Sequence, residues 1–332
     1  MNFQTLSVCG QQRLRVDNFL PKIGRSAMIQ KALHGLRADN KHISSMFFYD
    51  AEGSKLFEAI TRLPEYYLTR TEMSLLRQAA RDIGPHLSDV EIVELGSGDC
   101  SKISAFLEGL PDFVSSSARY MPIDVSQTAI EQSAGHLLKQ FPGLTIRGIV
   151  ADFTTQIDLI GDGDKRLFCL FGSTIGNFSR SEAAGLLVRL EAVMQPGDGL
   201  LLGIDRVKDR RMLENAYNDS QEVTASFNRN ILKVVNALAG TDFDPQAFSH
   251  VAFYNETESR IEMHLKVDKA MTITCPHFEN PLAIGQEESI HTENSHKFTD
   301  AHIDELAAQS NLTIQNVLTD SNQWFSLVQL TK

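Results

Sequence analysis

The chain has 332 residues, of which 42% are hydrophobic and 22% are charged. This composition is typical of a soluble globular protein, and the length suffices for about two domains with a large buried core. Lys and Arg total 31 against 42 Asp and Glu, a formal net charge of −11, which argues against nucleic acid or an anionic membrane as the main partner.

Five short β-rich runs alternate with helical patterns through the middle of the chain. The runs span 90–98, 119–126, 144–153, 165–177 and 197–207, and the helical patterns span 100–110, 127–141 and 181–194. Such alternation predicts parallel βαβ units with right-handed crossovers. The last of these helices is expected to begin at Ser179 or Ser181, with acidic Glu182 in its first turn.

The C-terminal region changes this rhythm. A helical pattern over 300–310 precedes two β-rich runs, 312–320 and 323–332, which a short polar turn joins into an antiparallel hairpin. Five strands, a helix and a hairpin make up the strand count of the class I S-adenosylmethionine-dependent methyltransferase fold, an α/β architecture with a Rossmann-like sheet.

The segment between these two regions is expected to be a smaller α+β insertion. Helical patterns over 211–217 and 223–239 precede strand-like runs over 250–255, 260–267 and 270–275. The sequence therefore predicts a cofactor-binding domain of residues 71–206 and 297–332. Residues 1–70 and 207–296 are expected to form a substrate-binding lid.

Cysteine usage and hydropathy indicate a cytoplasmic protein. Cys9, Cys100, Cys169 and Cys275 form no CxxC pair, which excludes a disulfide scaffold and a cysteine-rich zinc site. The first 19 residues contain no apolar stretch of signal-peptide length. The longest apolar runs are far shorter than the roughly 20 residues of a membrane span.

Glycine or aspartate follows each of the first three strands. Gly96 and Gly98 in the motif ELGSG permit close approach of a ligand, and Asp124 can accept bonds from both ribose hydroxyls of a nucleoside. Asp152 and Phe153 are suited to the adenine amino group and ring. The third glycine of GxGxxG is missing, so a nucleoside with a cationic sulfonium, S-adenosylmethionine, is favoured over a dinucleotide.

Two of these assignments have structural alternatives. Asp124 could instead cap the next helix, a role that Ser126 would otherwise take. Lys102 could contact the carboxylate of the cofactor or be a solvated helix residue. An ordinary strand–turn–helix would also explain ELGSG considered alone.

Seven longer motifs follow one another along the chain. They are FFYDAEGSKLFEAITRLPEYYLTRTE (47–72), ELGSG (94–98), GSTIGN (172–177), LLLGIDRVKD (200–209), TASFNRN (224–230), IEMHL (261–265) and HTENSHKF (291–298). With these motifs the chain resembles the histidine Nα-methyltransferases of ergothioneine biosynthesis, from about residue 20 to the C-terminus.

The resemblance implies a role for each matching residue. Tyr49 and Tyr66 would surround the substrate amine. Gly172, Asn177 and Tyr217 would hold the substrate α-carboxylate and amine. Met263 would pack beside the side-chain pocket, and Glu293 and Ser295 would read the imidazole. The S-adenosylmethionine positions would be Gly96, Lys102, Asp124, Asp152 and Phe153.

The chemistry of the residues agrees with these roles without requiring them. A carboxylate and a hydroxyl can engage both ring nitrogens of imidazole. By composition alone, however, Glu293 could be a solvated loop residue, Tyr66 and Met263 could be core residues, and Asn177 could occupy a left-handed turn.

The expected function is three successive methylations of L-histidine to Nα,Nα,Nα-trimethylhistidine (hercynine), the first step of ergothioneine biosynthesis. The alternatives are an N-methyltransferase of another amino acid or small amine, a non-catalytic binding protein and an NAD-linked oxidoreductase. Ten histidines include no HxxxH pair with a third ligand nearby, so no metal is expected. The oligomeric state is left open, a monomer included.

Overall fold

A computed structural model describes residues 5–8, 11–21, 24–161, 163 and 165–332, so Cys9 lies outside the described residues. By its internal contacts the chain divides into two compact units. The larger unit comprises Met1–Pro21, Leu68–Val207 and Lys297–Lys332, and the smaller unit comprises Lys22–Tyr67 and Lys208–His296.

The regular elements follow one another in this order. The strands are β1 Thr5–Val8, β2 Gln11–Asn18, β3 Glu91–Leu95, β4 Arg119–Asp124, β5 Thr145–Val150, β6 Arg166–Leu170, β7 Gly199–Asp205, β8 Phe248–Asn255, β9 Arg260–Val267, β10 Met271–Ile273, β11 Leu282–Ile284, β12 Ser289–His296, β13 Thr313–Thr319 and β14 Phe325–Thr331. The helices are α1 Arg25–His34, α2 Ala51–Ile60, α3 Tyr67–Ile83, α4 Ser101–Gly109, α5 Asp112–Ser115, α6 Gln127–Gln140, α7 Arg180–Val193, α8 Arg210–Asn215, α9 Val223–Ala239 and α10 Asp300–Gln309. Of the helices in the described ranges, none has the length and apolar character needed to cross a membrane.

The larger unit is built on a nine-stranded sheet of order β1-β2-β5-β4-β3-β6-β7-β14-β13. Strands β2 to β7 are parallel, whereas β14 runs antiparallel to both β7 and β13. The order reverses at β3, which places a crevice beyond the carboxyl ends of the central strands. This arrangement confirms the class I methyltransferase fold with its C-terminal hairpin.

Strand β2 belongs to the larger unit, whereas the sequence pattern places all of residues 1–70 in the substrate-binding lid. Strand β2 pairs in parallel with β5, from Leu14 opposite Ile146 to Asn18 opposite Val150. Leu14 and Val16 point into the core of the larger unit, while the intervening arginine is exposed. This short alternation is the pattern of a strand with one buried face, which explains why β2 extends the main sheet.

Helices cover the two faces of this sheet. Apolar side chains of α3, α4 and α6 pack on one face, and those of α7 and α10 pack on the other. Phe106 of α4 and Leu187 of α7 are completely buried, and burial of one such side chain contributes about 1.5–3 kcal/mol. Two covered faces explain why the central strands are continuously apolar rather than alternating.

The smaller unit is an antiparallel sheet of order β12-β9-β8, with β10 and β11 as a separate ribbon. Helix α9 packs on β8, β9, α1 and α2. The buried apolar side chains of β9 alternate along the strand, at Ile261, Met263, Leu265 and Val267. Glu262, on the other face, is also buried. Strand β12 was not predicted, because its polar composition resembles that of a solvated loop.

Candidate active site

The loop that follows β3 is shaped by two glycines. Gly96 has φ +71° and Gly98 has φ +48°, a left-handed backbone that a residue with a Cβ seldom adopts. The Gly96 amide donates to the carbonyl oxygen of Ile123 at 2.8 Å. A Cβ at position 96 would lie 3.2 Å from Cε1 of Phe153, so glycine lets this ring rest against the loop.

Asp124, at the end of β4, holds the glycine loop. One carboxylate oxygen accepts from the Gly98 amide and the other from the Ser126 amide, both at 2.9 Å. Ser126 caps α6, because its hydroxyl accepts from the Ala129 amide at 3.2 Å. Asp124 is therefore not the helix cap, and a carboxylate with about four acceptor positions retains two for a ligand.

The carboxyl end of β5 presents a second carboxylate beside an aromatic ring. Oδ1 of Asp152 accepts from the amide of Thr154 at 2.9 Å and from its hydroxyl at 2.6 Å, which leaves Oδ2 for a donor. Phe153 is half-buried. Oγ of Ser97 is buried and has no hydrogen-bond partner among the described residues. This set of carboxylate and hydroxyl oxygens beside an aromatic ring fits S-adenosylmethionine.

Two buried carboxyl groups near Lys102 were missed by the sequence analysis. Glu72 of α3 and Glu94 of β3 are 1% and 2% exposed. Burial raises the pKa of Glu72 to about 7 and that of Glu94 to about 8, although the positive charge of Lys102 opposes both shifts. The hydroxyl of Tyr120 donates to Glu94. The position of Lys102 supports a structural role beside these carboxyl groups, and its contact with the cofactor stays a prediction.

Replacing Glu94 with glutamine should flatten the dependence of stability on pH. A raised pKa means that the folded state binds the proton more tightly than the unfolded state does. The contribution of Glu94 to the free energy of unfolding is therefore complete below about pH 4.5 and is lost as the pH rises through about 8. Urea unfolding from about pH 5 to about pH 8.5 should show a smaller fall in the free energy of unfolding for Glu94→Gln than for the wild type. Parallel curves for the two proteins would contradict this account.

The segment after β6 turns sharply at Gly172. This residue has φ +73°, and its amide donates to Oε1 of Glu72 at 2.7 Å. Ser173 is left-handed at φ +54°, and its hydroxyl accepts from the Asp205 amide at 2.9 Å. Asn177 ends a short 3-10 helix, so the left-handed residue is Ser173, and that alternative for Asn177 is wrong.

The smaller unit presents the residues expected to read an imidazole. Glu293 of β12 lies directly opposite Met263 of β9, and Ser295 lies opposite Ile261. Opposed residues share a face of the sheet, so Glu293, Ser295 and Met263 point the same way. The hydroxyl of Tyr217 donates to Oγ of Ser295 at 2.8 Å, and both groups are buried.

The two tyrosines expected beside the amine differ in their surroundings. Tyr66 is 8% exposed and meets Tyr217 edge-on, with ring centroids 6.1 Å apart. Tyr49 is 48% exposed, and its ring contacts those of Phe57 and Phe227 edge-on at 5.8 and 6.0 Å. The smaller unit thus groups Tyr66 with Tyr217 and Ser295. The roles of both tyrosines stay predictions.

Each unit gathers one part of the predicted site. In the larger unit these residues are Gly96, Lys102, Asp124, Asp152, Phe153, Gly172 and Asn177, and in the smaller unit they are Tyr49, Tyr66, Tyr217, Met263, Glu293 and Ser295. The strand order defines a class I methyltransferase fold, and the polar groups at the strand ends suit S-adenosylmethionine as its cofactor.

Comparison with known proteins identifies the family. Residues 28–332 match the family described as histidine-specific methyltransferase, SAM-dependent. The chain is 39% identical over 287 residues to the histidine N-alpha-methyltransferase of Mycobacterium tuberculosis, which covers 86% of this chain and 89% of the relative. It is 38% identical over 315 residues to the enzyme of the same name from Mycolicibacterium smegmatis, with 95% and 98% covered.

A fungal relative is more distant and much longer. Ergothioneine biosynthesis protein 1 of Neurospora crassa is 29% identical over 242 residues, which cover 67% of this chain and 27% of that protein. The match to the family covers well over half of the chain, and the chain belongs to the histidine-specific, S-adenosylmethionine-dependent methyltransferases.

Proposed function

We propose that the chain transfers three methyl groups in succession from S-adenosylmethionine to the α-amine of L-histidine. The product is hercynine, and the reaction is the first step of ergothioneine biosynthesis. The observation that carries this proposal is the placement of Glu293 and Ser295 on one face of β12, opposite Met263 and Ile261 respectively.

These side chains suit an imidazole better than an indole or an aliphatic group. The carboxylate of Glu293 can accept the N–H of one ring nitrogen, and the Ser295 hydroxyl can donate to the other. The Tyr217 hydroxyl donates to Oγ of Ser295 at 2.8 Å, which fixes the position of the serine oxygen. A substrate without ring nitrogens would leave these groups unpaired, at a cost of several kcal/mol.

The cofactor, when bound, supplies an electrophilic methyl group attached to a sulfonium. Asp124 and Asp152 would hold its ribose and adenine, with Phe153 against the base. Methyl transfer needs a neutral amine aligned with the methyl group and sheltered from water. The α-amine must lose its proton before it can attack the methyl group, and Tyr49 and Tyr66 serve to orient it.

The proposed setting is a cytoplasm. Cys100, Cys169 and Cys275 are free thiols in the structure, and the last two are buried. Such cysteines are usual in a reducing compartment. The proposed partner is the small molecule histidine, with no nucleic acid or membrane, and the oligomeric state stays open.

Mass spectrometry with a trideuteromethyl-labelled cofactor tests the number of transfers. Histidine should gain one, then two, then three labelled methyl groups, and the trimethylated product should accumulate. Nα-acetylhistidine keeps the imidazole but lacks a free amine, so it should remain unlabelled. A reaction that stops after one methyl group, or labelling of the acetylated compound, would contradict the proposal.

A further inference from the structure

A second polar cluster lies on the opposite face of the same strand pair. Glu262 and His264 alternate along β9, and on β12 Asn294 lies opposite Glu262 while His291 lies opposite His264. A register irregularity between His291 and Glu293 places these two residues on opposite faces of the strand pair, although they are two positions apart. The four side chains therefore form a square on the sheet, away from the face that carries Glu293.

The square brings metal-binding atoms together. One ligand atom from each of Glu262, His264 and His291 lies within 4.8 Å of the other two. Nε2 of His264 is 3.2 Å from Oε2 of Glu262, close to the roughly 3.3 Å that separates two ligands of a tetrahedral zinc ion. Nε2 of His291 is 2.8 Å from Oδ1 of Asn294, a further oxygen ligand at the rim.

We propose that Glu262, His264 and His291 form a binding site for a divalent transition-metal ion such as Zn²⁺. Two imidazoles and one carboxylate are the donor set that zinc and its neighbours prefer, whereas Mg²⁺ and Ca²⁺ require mainly oxygen. The ion replaces the hydrogen bonds from the two rings, and Asn294 or water takes the fourth position.

Neighbouring groups hold the ligands in place. Nδ1 of His264 lies 3.2 Å from Oγ of Ser289, so it can donate its proton there and leave Nε2 for the metal. The ring of Phe253 stacks on that of His264, with centroids 5.4 Å apart. These contacts fix the orientation of this imidazole before any ion arrives. The proton moves from Nε2, where it faces Glu262, to Nδ1 when the ion takes Nε2.

The carboxylate of Glu262 contacts both the cluster and residues at the ends of β8 and β9. Oε1 of Glu262 accepts from Arg260 and from Asn255 at 2.8–2.9 Å, while Oε2 faces His264. One oxygen therefore remains for the ion. The positive charge of Arg260 opposes a dication, so we expect an affinity below that of a closed four-ligand structural site.

Binding should tie β9 to β12, because His264 and His291 belong to different strands. The same two strands carry Met263 and Glu293 on their other face. A bound ion therefore stabilises the strand pair that presents the imidazole-reading residues, and it raises the thermal midpoint of the protein by mass action.

Titration of the untagged full chain with Zn²⁺ tests this site. After removal of adventitious metal with a chelator, equilibrium dialysis should show one zinc ion per chain, with a rise in the thermal midpoint. The variants His264→Ala and His291→Ala should each weaken zinc binding at least tenfold. The control His277→Ala removes an exposed histidine of the same unit and should bind zinc like the wild type.

The midpoint of each variant without zinc shows whether it has folded. Folded His264→Ala or His291→Ala protein that binds zinc as tightly as the wild type would overturn the proposal. Failure of the wild type to bind zinc at millimolar concentrations would do the same. Substitution by Co²⁺ adds a spectroscopic readout, since nitrogen ligation produces visible absorption bands that must vanish in both histidine variants.

Discussion

Replacing Glu293 with alanine should reduce kcat/KM for histidine by about 100-fold or more while leaving the affinity for S-adenosylmethionine nearly unchanged. Loss of a charge-assisted hydrogen bond to the imidazole costs up to about 3 kcal/mol, and a factor of 100 corresponds to about 2.7 kcal/mol. The residues proposed to bind the cofactor lie in the larger unit, whereas Glu293 lies in the smaller one. Steady-state kinetics with histidine and calorimetry with S-adenosylhomocysteine measure the two effects separately.

Glu279→Ala is the matched control for this experiment. Glu279 is an exposed carboxylate of the same unit, and its replacement changes the net charge by the same amount. The control should retain wild-type kinetics. Equal histidine kinetics in Glu293→Ala and the wild type would show that the imidazole is read by other groups.

Replacing Asp124 with alanine should weaken binding of S-adenosylmethionine by about 100-fold or more. The change removes the proposed acceptors for the ribose hydroxyls and also the carboxylate that accepts from the Gly98 amide. Two lost hydrogen bonds to a charged group, at about 1.5–3 kcal/mol each, account for that factor. Calorimetric titration with S-adenosylmethionine measures the loss directly.

Asp158→Ala serves as the control in the same unit. Asp158 is exposed in a short 3-10 helix, so its replacement should leave cofactor affinity unchanged. Asp124→Asn separates the two effects of the carboxylate, since an amide oxygen can still accept from one backbone amide. Tight cofactor binding by Asp124→Ala would show that the ribose is not held at the end of β4.

The sheet of the larger unit could be predicted because its strands have a distinctive sequence pattern. Buried parallel strands are apolar runs that end in glycine or aspartate, as at Gly96 and Asp124, and helices separate them. The predicted helix over 223–239 agrees with α9 at both ends. Strand β2 escaped prediction because the alternation of Leu14 and Val16 with arginine spans only a few residues.

The polar strand β12 shows a different limit of sequence reasoning. HTENS has the composition of a loop, and only its pairing with β9 reveals which residues share a face. Glu293 was identified only through the family resemblance. The structure shows in addition that it lies opposite Met263 in the strand pair. The cluster of Glu262, His264 and His291 was overlooked because metal ligands were sought at helical spacing, whereas strands repeat every second residue.

Buried carboxyl groups are equally hard to recognise from sequence. Glu94 occurs in VEIVELGSG, where a charged residue inside an apolar run is the only available signal. Glu72 lies on α3, and its contact with the Gly172 amide joins residues 100 positions apart. Long-range partners of this kind determine whether a carboxyl group keeps its proton, and no local pattern encodes them.

A competition assay with the free amino acids and a methyl-labelled cofactor tests the central claim most directly. All amino acids are present together, and the label in each is followed by mass spectrometry. Histidine should carry nearly all of the label, on its α-nitrogen, with tryptophan and other aromatic amino acids far behind. Preferential labelling of another amino acid, or of a histidine ring nitrogen, would contradict the account.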